Sequence, residues 1–135
     1  MCLLNDQATA AGYLLQHKRV NRILIIDLDV HQGNGTAHIF QGHQQVFTFS
    51  MHSEKNYPFI KQHSHLDIGL AEHITDKEYL KILKDNLLDL FQRIRPDFVF
   101  YQAGVDILAT DKLGKLNLSP AACARRDELV LGLCQ

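Results

Sequence analysis

Residues 23–36 read ILIIDLDVHQGNGT. The first half, Ile23 to Asp29, is a continuous β-branched and aliphatic run, too short for a helix and without polar alternation, as expected of a parallel strand buried on both faces. A strand of that kind is central in its sheet. Two glycines, Gly33 and Gly35, then end it before a short helical segment through Phe40. On the amino-terminal side, Ala8, Ala11, Tyr13, Leu14 and Leu15 fall near helical spacing, so a helix is expected over Leu4 to His17, with Lys18 and Arg19 at its negative end. On the carboxyl-terminal side, Val46 to His52 (VFTFSMH) has the β-branched and aromatic content of a second strand. The polar stretch from Ser53 to Leu70, with Pro58 inside it, reads as one long loop. Thr75 or Asp76 can cap a helix running to about Arg93, since Tyr79, Ile82, Leu83, Leu87, Leu90 and Phe91 keep one apolar face. Pro96 marks its exit. DFVFYQAGVD, Asp97 to Asp106, is a third buried strand, and Ser119-Pro120 opens a last helix. The alternation of helix and strand implies an α/β fold, an open parallel sheet with flanking helices.

Composition narrows the function. Of 135 residues, 46% are hydrophobic, enough for a core. Fourteen basic against fifteen acidic side chains give a formal net charge of −1, which offers no footprint for a nucleic-acid backbone or an anionic membrane. No apolar run approaches the ~20 residues of a spanning helix, and the opening MCLLNDQATAAGYLLQHKRV lacks the apolar core of a signal peptide, so a cytoplasmic location is expected. Cys2, Cys123 and Cys134 are odd in number and widely spaced, which fits reduced, core-filling thiols.

The unusual polar residues stand at strand ends, where open α/β sheets bind ligands. Asp27, Asp29 and His31 are spaced by two, so continued strand geometry puts them on one face of an otherwise apolar strand. Two carboxylates buried together are costly unless a cation or proton offsets them. Asp29 and His31 can share a metal, and Asp106 is the best-placed third ligand. Such a set leaves positions open for water and a substrate oxygen, and accepts zinc, Fe(II) or Co(II). Asp106 reads equally as a turn residue, and spacing alone leaves both readings open. The Gly33-x-Gly35 pair lacks the rest of a phosphate-binding motif. The Asp27-x-Asp29 pair is similar to the nucleophile motif of haloacid-dehalogenase-type phosphatases, which continue with Gly-Thr where this chain has Val30-His31. Arginase-type dimanganese sites need a further acid where this chain has Gly33, which argues for one metal.

DLDVHQGNGT (Asp27 to Thr36) followed by AGVDILATDKLG (Ala103 to Gly114) resembles the histone deacetylase and acetylpolyamine amidohydrolase superfamily. CLLND at Cys2 to Asp6 and the LSP…RDELV segment extend the likeness through the chain, closest to bacterial and class IV-like members. The resemblance implies the arginase/deacetylase-like sheet, with zinc held by Asp29, His31 and Asp106. It also implies an inner potassium site from Asp27, Ser50 and the carbonyls of His31 and Met51, and an outer one using carbonyls of Phe40 and Val46. Asn34 would orient a catalytic histidine, with Gly33 beside it, while Tyr57 and Gly104 would line the acyl-lysine tunnel.

The substrates implied are acetylated lysine or an acetylpolyamine. The family's adjacent histidines precede the segment matching Cys2, and its Gly-Gly-Tyr segment follows the last helix. Residues 1–135 are thus expected to form the central part of one catalytic domain, with negligible deacetylation by themselves and uncovered sheet edges through which chains can associate. A non-catalytic remnant, or an interaction fragment that at most binds zinc, is the alternative. His17, His38, His43, His52, His63, His65 and His73 match no motif and are expected at the surface or in loops.

Overall fold

In the computed structural model, which describes residues 4–135, the chain order is α1 (Asp6–Gln16), β1 (Ile23–Asp27), α2 (Asn34–Ile39), β2 (Val46–Ser53), β3 (Leu66–Leu70), α3 (Asp76–Ile94), β4 (Phe98–Gln102) and α4 (Pro120–Leu133). The four strands lie in the order β3-β2-β1-β4 with every pairing parallel. β1 is interior, as its unbroken apolar run requires. Leu24 and Ile26 face a core completed by Tyr79, Leu83, Leu87 and Leu90 of α3 and by Ala122 and Val130 of α4. Ile23 and Ile25 face the opposite layer, where Ala11 of α1, Phe40 and Val46 enclose them. Helices therefore cover both faces.

Local chemistry sets the boundaries. The Asn5 side chain accepts the Ala8 N–H at 2.8 Å and starts α1. Thr75 and Glu78 form a reciprocal capping box at the start of α3, and Arg95, in the left-handed conformation before Pro96, ends it. Ser119 caps α4 and donates its hydroxyl to Asp76 at 2.5 Å, tying the two helix starts together. Asp97 accepts the N–H groups of Asn21 and Arg22 at 2.8 and 2.9 Å, which aligns the starts of β1 and β4.

Several expectations need correction. The stretch from Ser53 to Leu70 is not all loop: Leu66–Leu70 pairs with β2 as an edge strand. β1 stops at Asp27 and β4 at Gln102, so Asp29, His31 and Asp106 sit on the loops beyond the strands. His52 is buried on β2, 3% exposed, and shares a 2.9 Å hydrogen bond with Ser50 Oγ. Cys134 is exposed and Cys123 half-buried, so Cys134 fills no core; Cys2 lies outside the described residues. No helix among the described residues is long and apolar enough to cross a membrane.

Candidate metal centre

Adjacent parallel strands bring their carboxyl ends together. The ladder between β1 and β4 closes at Asp27 opposite Gln102 and adds one bond, Leu28 N–H to Gln102 O at 3.0 Å. Beyond that point side chains take over from backbone. Asp106 Oδ1 accepts the Val30 N–H at 3.0 Å, and Asp29 Oδ1 accepts the His31 N–H at 2.8 Å. Each carboxylate is thereby fixed by the loop it faces. His31 Nδ1 then lies 3.1 Å from Asp29 Oδ1 and 3.1 Å from Asp106 Oδ2. The convergence expected from strand pleating is real, but turns in the loops produce it.

One ligand atom from each of Asp29, His31 and Asp106 lies within 4.8 Å of the others, so these three could hold a metal ion. All three are half-buried. In the tautomer with Nδ1 unprotonated, that nitrogen and the two carboxylate oxygens turn three lone pairs toward one another, an arrangement that a cation between them offsets. Backbone space is reserved for the cluster. A Cβ on Gly104 would come within 2.7 Å of Asp29 Oδ2 and 3.0 Å of Asp106 Oδ1, and one on Gly33 within 2.1 Å of Asp27 Oδ2. Gly114 presses against the Asp106 carbonyl, where a Cβ would stand 1.7 Å away.

Asp27 lies behind the triad, its Oδ1 accepting the Asp29 N–H at 3.1 Å. Burial pushes its carboxyl up to about 7; the Asp29 N–H opposes that rise, and the charges of Asp29 and Asp106 add to it. Burial also raises Asp106, against the Val30 hydrogen bond and with the Asp29 charge.

The other expected residues are distributed around this centre. Ser50 stands opposite Asp27 in the β1–β2 register, with Met51 next to it, both buried. Phe40 and Val46 belong to the core on the α1 side. Asn34 opens α2, half-buried. Tyr57 is half-exposed on the loop between β2 and β3, edge-on to Phe59, and Lys61 Nζ steadies that loop by donating to the Asn56 and Pro58 carbonyls at 2.6 Å each.

The Histone deacetylase domain model matches residues 1–135. The chain belongs to the histone deacetylase family. An uncharacterised protein of Picosynechococcus sp. is 53% identical over 133 residues, a match covering 98% of this chain and 44% of that protein. Histone deacetylase 2 of Arabidopsis thaliana is 33% identical over 132 residues, covering 96% of this chain and 34% of its own. The crystal structure of an HDAC homologue from Aquifex aeolicus superposes with a TM-score of 0.87 at 29% identity, covering 98% of this chain and 39% of that one. The chain thus spans less than half the length of these relatives of the deacetylase family, and its open parallel sheet is part of their fold.

Two residues of the site escape a reading of the sequence. Gln32 is buried and binds the loop before β3, donating to Gln62 O and Asp67 at 2.8 and 2.9 Å and accepting the Gln62 N–H. Arg126 is buried completely and reaches the Gly104 carbonyl at 2.6 Å. Ala122, Arg126 and Val130 stand four residues apart on the face that α4 buries.

Proposed function

We propose that this chain carries the metal-holding part of a zinc-dependent deacylase site that, in the complete enzyme, hydrolyses the amide of acetyl-lysine or an acetylpolyamine. The convergence of Asp29, His31 and Asp106 carries this reading. A divalent ion held there supplies Lewis acidity toward an amide carbonyl and a water molecule. The chain's own residues prepare the site. Val30 and His31 N–H groups each hold one carboxylate oxygen, so Asp106 Oδ2 is left to face the His31 ring. Asp27 fixes the Asp29 backbone from behind. Gly104 keeps the approach to both carboxylates free of side chain, and Tyr57 walls the path along which an acyl-lysine enters.

The same reading extends to potassium. Asp27 and Ser50, neighbours across β1 and β2, join the carbonyls of His31 and Met51 in an inner site, and carbonyls of Phe40 and Val46 serve an outer one. The desolvated Asp27 carboxyl supports the inner assignment. Asn34, beside Gly33, orients a histidine that acts as general base in the complete enzyme. Zinc is the expected divalent ion; a set of two carboxylates and one imidazole also takes Fe(II) or Co(II).

Metal analysis of the purified chain, beside Asp29→Ala and Asp106→Ala and with circular dichroism on each, tests the assignment. About one zinc per chain is expected, lost in both variants while the fold persists. A folded wild type that takes up no metal, or variants that retain it, would falsify the reading.

A further inference from the structure

Among the described residues, Arg126 is the largest fully buried side chain. Taking a charge out of water costs several kcal/mol, and well-packed apolar residues in place of buried ion pairs are often as stable or more so. Stability alone gives no reason for an arginine here. Its contacts do. Nη1 donates to Gly104 O at 2.6 Å and, more weakly, to Leu28 O at 3.4 Å. Nε donates to Asp127 Oδ1 at 2.9 Å, and the guanidinium carbon lies 5.9 Å from the centre of the Tyr101 ring. Tyr101 donates its own hydroxyl to the same Asp127 oxygen at 2.6 Å, so the arginine is held on two sides.

The two carbonyls lie on the two loops that follow β1 and β4, the segments that bear the triad. Leu28 immediately precedes Asp29, and Gly104 stands two residues before Asp106. The backbone ladder between β1 and β4 ends with the bond from Leu28 N–H to Gln102 O, so no further backbone bond sets the spacing of the two loops. A guanidinium carries several donors in one rigid plane and stays charged, and can span two carbonyls while bound to a carboxylate; an ammonium cannot reproduce that fork.

We propose that Arg126 is a positioning residue, which bridges the Leu28 and Gly104 carbonyls to set the separation of Asp29 and Asp106 and hence metal affinity and geometry at the triad. The inference rests on the metal reading of the triad given above. It is tested on the full chain by titrating Co(II) into wild type, Arg126→Lys, Arg126→Met and Asp29→Ala, following visible absorption, with circular dichroism of each metal-free sample. Asp29→Ala is expected to abolish uptake. Folded Arg126 variants should bind Co(II) about 10- to 100-fold more weakly, the range for residues that orient ligands without touching the metal, with altered band positions that a loss of stability alone does not produce. Wild-type affinity and spectrum in a folded Arg126 variant overturn the proposal while leaving the metal reading intact. A lysine variant that is unfolded with and without metal also overturns it, since the arginine then serves the fold at large. Wild type that takes up no cobalt, or takes it up equally after Asp29→Ala, removes the metal reading itself and the positioning role with it.

Discussion

Asp27 gives the metal-free chain a pH dependence whose sign follows from its surroundings. Its folded pKa of about 7 lies above the unfolded value of 3.8, so between these values the folded chain holds a proton that the unfolded chain has released. Stability from this group is therefore greatest at low pH and declines as pH rises from about 4 to about 7. His52 works the other way, because burial lowers its pKa and protonation favours the unfolded chain below about pH 6.5. Asp27→Asn isolates the first effect: with chelator present, the variant should gain on wild type in denaturant midpoint between pH 5 and pH 8, His52 being common to both. Parallel pH profiles would show that the Asp27 carboxyl is already ionised at low pH.

Gly114→Ala probes the same cluster from behind. The added methyl meets the Asp106 backbone rather than a movable side chain, so about 1–3 kcal/mol of stability and part of the metal affinity should be lost; an unshifted melting curve would mean that the loop relaxes freely. The convergence of Asp29, His31 and Asp106 was legible in the sequence because carboxylates just beyond an apolar strand are costly to bury without a counter-charge. Arg126 was not. Its neighbour Arg125 is exposed and paired with Glu128 at 2.7 Å, so the RRDE run reads as a solvated face, and only the α4 packing separates the two arginines.

β1, α3 and α4 were readable as elements because each carries its own signal: a two-sided apolar run, a capping box above an apolar stripe, and Ser-Pro at a helix start. β3 carries none. LDIGL is five residues at a sheet edge, mostly half-buried, with Asp67 and Gly69 in it, and its strand character comes from pairing with β2 rather than from propensity. What fixes the connection before it is Gln32, next to His31, through its hydrogen bonds to Gln62 and Asp67. Gln32→Ala leaves the Gln62 N–H and carbonyl without these partners. At about 0.5–1.5 kcal/mol per bond, amide exchange across residues 54–65 should quicken about tenfold or more, with α3 unchanged as the internal reference. Mass-spectrometric hydrogen exchange measures both at once; equal protection in the two proteins would mean that Lys61 and Asn56 suffice to hold the loop.

At the scale of the molecule, the catalytic reading and the exposed sheet edge lead to separate expectations. Among the described residues, His31 is the histidine that bonds to Asp29 and Asp106, while buried His52 is engaged with Ser50. General acid–base catalysis contributes about 10²–10⁴-fold and an oxyanion donor about 10²–10³-fold. The zinc-loaded chain should therefore leave an acetyl-lysine peptide uncleaved over the time in which a complete family member consumes it, and turnover at a comparable rate would reveal a base within these residues.

Among the described residues β4 pairs with β1 alone, and beside it Phe91, Val99, Tyr101, Leu131 and Leu133 line a groove of about 690 Å³, with Phe98 38% and Leu131 57% exposed. An open strand edge bordered by apolar side chains is a template for pairing with another chain, and lysine at such an edge opposes it. Sedimentation velocity should show the chain associating as its concentration rises, and Phe98→Lys with Leu131→Lys should return it to monomer without loss of helix signal. Association that persists in the double variant would move the contact away from β4, to the β3 edge or the exposed Phe59 and Ile60 of the preceding loop.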